Sequence, residues 1–104
     1  MKFLELARKL SFESTAKQQK MAAVIVRGGA VLSVGINHKW NHAETRAIRP
    51  HRYFGGSTIY VMRSNGRCSR PCLDCQRKII QAGIDRAVYI ALDGTVVTER
   101  YATG

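Results

Sequence analysis

Three residues of metal-binding type lie in two short segments that have to meet if they act together. His42 opens His42-Ala43-Glu44, and Cys72 and Cys75 sit in Pro71-Cys72-Leu73-Asp74-Cys75. One imidazole and two thiolates make three ligands for a tetrahedral ion such as zinc and leave a fourth position for water. Two cysteines three residues apart at a helix start share one face of its first turn. The helix N-terminus also favours their thiolate form. A histidine at the start of an earlier helix faces them if both helices pack on the same side of a sheet. The chain therefore has to alternate helices and strands.

The hydrophobic pattern supplies that alternation. Residues 3–20 carry Phe3, Leu4, Leu6, Ala7, Leu10 and Phe12 among polar residues, as in an amphipathic helix, before Lys17-Gln18-Gln19-Lys20 breaks the pattern. Met21 to Val26 reads as a buried strand, Gly28-Gly29 as a tight turn, and Ala30 to Ile36 as the returning strand. A polar loop over 37–41 contains Trp40. His42 to Ile48 reads as a short helix stopped by Pro50. Ser57 to Met62 is a third strand, and an Arg-rich loop covers 63–71. Cys72 to Ala82 is a helix with Gly83 as its cap. Ala87 to Leu92 and Thr95 to Thr98 are strands joined at Asp93-Gly94, a strong hairpin signal. With 104 residues, one domain spanning 1–104 is expected.

Glu44 follows His42 by two residues, so it is placed to reach a metal-bound water without being a ligand. Zinc brings the pKa of such a water to about 7. Glu44 would take its proton as a general base. A purely structural zinc site would instead be closed by a fourth ligand. Cys68 is extra, because three ligands are already supplied. An odd count of three closely spaced cysteines argues against a disulfide framework.

The pairing H-x-E with P-C-x-x-C resembles the zinc deaminase signature, and most of the chain is similar to the cytidine deaminase-like superfamily. Gly35-Ile36-Asn37 matches the Gly-x-Asn that ends the second strand in many members. Ala47-Ile48, Ile79-Ile80 with Ala82-Gly83-Ile84, and Ser69-Arg70-Pro71-Cys72 resemble further family segments. The resemblance implies a three-layer α-β-α fold of the α/β class with a mixed five-stranded sheet. It implies zinc held by His42, Cys72 and Cys75, with Glu44 as the catalytic residue. Substrate contacts are expected at Asn37, Ala43, Arg70 and Pro71. For Asn37 a turn role is an equal alternative. Leu92-Asp93-Gly94-Thr95 leaves no room for a helix, so the last two strands should be antiparallel, as in the hairpin-type branch.

Charge bears on the substrate. Lys and Arg total 17 against 7 for Asp and Glu, a net +10. The excess is concentrated: Arg46, Arg49, Arg52, Arg63, Arg67, Arg70, Arg77 and Lys78 are opposed between positions 46 and 78 by Asp74 alone. Such a field favours anionic partners. The expected reaction is hydrolysis of cytosine to uracil in cytidine, deoxycytidine or their nucleotides. The alternatives are cytosine, or adenine, in single-stranded DNA or RNA held by the basic 46–78 stretch, or a non-catalytic zinc module that binds nucleic acid. Trp40, Tyr53 and Phe54 are available for base stacking or for packing. The 45% apolar composition is that of a globular protein. No apolar run approaches the roughly 18 residues of a membrane span, and the polar start lacks a signal core. A soluble, cytoplasmic protein is expected. A domain this small also gains from association as a homo-oligomer.

Overall fold

The computed structural model describes residues 2–15, 19–37, 42–48 and 53–101, with 44 and 45 described for the backbone only. Trp40, Arg49, Pro50, Arg52 and the 16–18 segment lie outside the described residues. The element order is α1 (Lys2–Ser11), β1 (Met21–Arg27), β2 (Ala30–Ile36), α2 (Ala43–Ala47), β3 (Thr58–Arg63), α3 (Leu73–Gln81), β4 (Arg86–Ile90) and β5 (Val96–Arg100). The strands form one five-stranded sheet in the order β2-β1-β3-β4-β5. β1 runs antiparallel to β2 and β3, β3 runs parallel to β4, and β5 returns antiparallel to β4. Among the described residues no helix is long and apolar enough to cross a membrane.

β1 is buried on both faces, which explains its continuous apolar run. Its alternate side chains separate two cores. Val24 and Val26 meet Leu4 and Ala7 of α1 together with Met62, Val88 and Ile90. Ala23 and Ile25 pack on the other face with Ala43, Ala47, Phe54, Ile59, Val61, Ile79, Ile84, Ala87 and Tyr89. Helices thus cover both faces, and α2 and α3 share one of them. Gly28 and Gly29 both take positive φ, 58° and 79°, as a tight two-residue hairpin requires.

The first helix is shorter than its pattern suggests. It ends at Ser11, whose hydroxyl donates to the Arg8 carbonyl (2.5 Å), and Phe12 stands 60% exposed. Local serine bonds to the backbone compete with helix continuation. The other boundaries differ by a residue or two: α2 is Ala43–Ala47, and Cys72 and Ala82 cap α3 from outside it.

α2 lies hard against the sheet at Gly35. A Cβ there would run into the Ala43 carbonyl and the Ala47 amide, and would come within 2.8 Å of the Ala47 Cα. The Ser33 hydroxyl, also on β2, donates to the Ala47 carbonyl (2.6 Å) and ties down the far end of α2. Because the obstructing atoms are backbone, Gly35→Ala is expected to destabilise the fold by about 2 kcal/mol or more. Thermal denaturation checks this, with Gly29→Ala as a control: its Cβ meets nothing within 4 Å, although its positive φ carries a smaller cost.

Candidate active site

Two helix starts converge on the face shared by α2 and α3. His42 immediately precedes α2, and its carbonyl accepts the Arg46 amide (3.1 Å). Cys72 is the N-cap of α3: its carbonyl accepts the Gln76 amide (2.9 Å), and its Sγ accepts the Cys75 amide (3.4 Å). Cys75 stands one turn on and is buried to 1% exposure.

The three side chains meet. His42 Nδ1 lies 3.3 Å from Cys75 Sγ and 3.8 Å from Cys72 Sγ, and the three donor atoms all lie within 4.8 Å of one another. Zinc–sulfur bonds of about 2.3 Å and zinc–nitrogen bonds of about 2.0–2.1 Å at tetrahedral angles require S···N separations near ~3.5 Å. The observed pair brackets that value, so the donor set fits zinc. Among the described residues no fourth His, Cys, Asp or Glu joins the group. His42 and Cys72 are exposed while Cys75 is buried, so the group opens towards solvent on one side. That is the arrangement of a catalytic rather than a closed site.

Glu44 occupies the second residue of α2, beside the cluster in sequence, but its side chain lies outside what the structure describes. Ala43 is buried in the core beneath α2. Its N–H belongs to the first turn, where helix geometry leaves amides without a helical acceptor. Pro71 is buried, and its carbonyl accepts the Gln76 side-chain amide (2.8 Å). Asn37 is engaged locally: its Oδ1 accepts the Met21 amide (2.9 Å) and the Ser14 hydroxyl (2.5 Å), and its Nδ2 donates to the Gln19 carbonyl. Those bonds tie the end of β2 to the start of β1 and to the segment between α1 and β1.

Arg70 is exposed on the loop before Pro71. It lies close enough to Tyr89 to counter, in part, the upward push on that phenol from burial and from the Glu99 acceptor (2.9 Å). Arg46 and Arg67 are also exposed, and Arg63 is half-buried with its Nε bonded to nothing among the described residues. Asp74 is turned to Lys78 (3.3 Å) on the outer face of α3. Phe54 is fully buried, so its role is packing, and Tyr53 is 76% exposed with its ring against Gly55 and Gly83. Cys68 is half-buried and stays outside the donor group. Ser69 and Gln76 are the supporting residues that sequence patterning does not single out as such, since neither carries a ligand signal of its own.

Comparison with known proteins agrees with this geometry. The family model described as the cytidine and deoxycytidylate deaminase zinc-binding region matches residues 1–91. Among solved structures, the dCMP deaminase of cyanophage S-TIM5 is similar at 26% identity and a TM-score of 0.71, over 89% of this chain and 83% of that one. The same phage enzyme in complex with dCMP and dUMP matches at 24% identity and a TM-score of 0.67, over 83% of this chain and 76% of that one. Cytidine deaminase from Burkholderia pseudomallei matches at 23% identity and a TM-score of 0.74, over 93% and 88% of the two chains, a likeness of fold. No curated protein sequence matches the chain.

Proposed function

We infer that this chain, which belongs to the cytidine and deoxycytidylate deaminase zinc-binding family, acts on a small cytosine substrate that carries a phosphate. Membership makes it a zinc-dependent hydrolytic deaminase. The observation that carries the reading is the three-donor group, set at two converging helix starts and open on one side. The finer choice of a nucleotide is supported by the likeness to a dCMP deaminase and by the exposed Arg67 and Arg70 on the loop that leads to Cys72. Neither arginine has an ion pair among the described residues.

Zinc in such a site supplies the Lewis acidity that makes hydroxide available near neutral pH. The chain does the rest. His42, Cys72 and Cys75 would hold the ion. Glu44 takes one proton of the attacking water and gives it to the ring nitrogen, then carries the remaining hydroxyl proton to the departing amine, which leaves as ammonia as the ring carbonyl forms. The first-turn N–H of Ala43 is a donor for the base, and Pro71 walls the pocket. A sugar contact from Asn37 requires it to exchange one of its present partners, and the bond to the Gln19 carbonyl is the exposed one. The reading takes residues 1–104 as a single deaminase domain. It includes assembly as a homo-oligomer, for which Leu73 and Ile80 on α3, 73% and 41% exposed, offer apolar contacts.

Ammonia release over cytidine, deoxycytidine, CMP, dCMP and single-stranded oligonucleotides tests the substrate. Nucleotides are expected to be preferred. Arg70→Gln or Arg67→Gln should raise KM for the nucleotide about 10-fold or more, the worth of a charge-assisted hydrogen bond, and leave the nucleoside unaffected. Equal use of nucleoside and nucleotide would remove the phosphate from the account. Equal losses across many arginines, with single-strand binding that falls with salt at a log–log slope of about −0.7 per phosphate, would replace it with a polynucleotide substrate.

A further inference from the structure

β3 and β4 pair in parallel only over Thr58–Tyr60 and Arg86–Val88. Beyond that ladder Val61 and Ile90 are still buried, at 0% and 7% exposure, and their backbone groups need partners. Ser69 supplies them. Its N–H donates to the Ile90 carbonyl (2.9 Å), and its hydroxyl accepts the Ile90 amide (2.9 Å) and donates to the Val61 carbonyl (2.7 Å). The side chain is 1% exposed. One residue thus bridges both strands where they part, at the point from which the chain leaves for the metal ligands.

The path from Ser69 to Cys72 is short and stiff. Pro71 is buried and has a fixed φ. Its carbonyl is held from the other side by the Gln76 side chain (2.8 Å), one turn into α3. Cys72 follows as the N-cap, with φ −67° and ψ 166°. The start of α3 is therefore anchored to the sheet by Ser69 and to its own helix by Gln76. Its counterpart, His42, is anchored through α2 at Gly35 and Ser33.

We propose that Ser69, acting with Gln76, is a positioning residue for the metal centre: it locks the 69–72 segment so that Cys72 and Cys75 face His42. The proposal rests on the reading of those three residues as the zinc ligands. Without the Ser69 hydroxyl, the Ile90 amide and the Val61 carbonyl lose a partner. The segment then gains freedom, and ordering it falls to metal binding.

The test compares zinc affinity, by competition with a chromogenic chelator, and the cobalt(II) thiolate absorption of the parent, Ser69→Ala, Ser69→Thr and Gln76→Ala. Cys75→Ala serves as the control on the ligand reading. If it binds zinc as the parent does, the ligand assignment fails, whatever the Ser69 variants show. With that control passed, Ser69→Ala should lose about tenfold or more in affinity, the range for groups that orient metal ligands, with a weaker cobalt band. Ser69→Thr, which keeps the hydroxyl, should recover most of it. Should Ser69→Ala not fold, Gln76→Ala, which leaves the sheet bridge intact, is expected to lose affinity in the same direction. Affinity within about twofold of the parent and an unchanged cobalt spectrum in Ser69→Ala, or in Gln76→Ala where that stands in, would overturn the proposal. Ser69 would then be a clamp between strands and nothing more.

Discussion

Cys75→Ala is expected to release the zinc and to take turnover down to the uncatalysed level. Cys75 Sγ makes the closer approach to His42 Nδ1, 3.3 Å, and is the one buried member of the donor group. Its removal leaves an imidazole and one exposed thiol of the three donors, too few to hold the ion. Changes outside the ligand set cost 10–100-fold in affinity, and loss of a ligand should cost more. The helix itself should survive, because its cap is Cys72 and Ile79 anchors it in the core. Zinc analysis and ammonia release on the same preparation check this, with far-UV circular dichroism as the control. A folded Cys75→Ala protein with full zinc and full activity would move the metal elsewhere.

Glu44→Gln should behave in the opposite way towards the metal. The amide has the shape of the carboxylate but cannot take a proton. Zinc is expected to stay at one ion per chain and the fold to be unchanged. The rate constant should fall by about 10²- to 10⁴-fold, the usual contribution of a positioned acid–base group. KM for the substrate should change little, since proton transfer belongs to the transition state. Single-turnover kinetics with zinc quantified in the same sample separates the two effects. Loss of zinc in this variant would make Glu44 a ligand.

The meeting of His42, Cys72 and Cys75 is legible because it lies in residue type and spacing. The three stand at or just before the starts of α2 and α3, whose far ends Pro50 and Gly83 mark in the sequence. The hairpin at Asp93-Gly94 was legible for a similar reason: Gly94 takes φ 85° and Asp93 accepts the Thr95 amide (3.0 Å) and hydroxyl (2.7 Å). What supports the site was not. Ser69 and Ser33 are ordinary polar residues in sequence, and only the tertiary arrangement puts their hydroxyls against the buried carbonyls of Val61 and Ala47. Gln76 looks like a helix surface residue until Pro71 is seen within its reach. Gly35 could be matched to a family motif, but the reason for glycine, the contact with α2, needs the packing. The end of α1 is not legible, because apolar spacing continues to Phe12 while Ser11 turns its hydroxyl to the Arg8 carbonyl. Asn37 shows the same limit from the other side. A residue that matches a substrate-contact position carries three local bonds that spacing alone does not reveal.

The most direct test of the account is ammonia released from dCMP by the zinc-loaded chain, followed through removal of the metal by a chelator and its return. The account predicts ammonia and dUMP in equal amounts, loss of both when the metal is removed, and recovery when zinc is restored. No ammonia from dCMP or from any other cytosine nucleoside or nucleotide, in a folded protein carrying one zinc per chain, would contradict it.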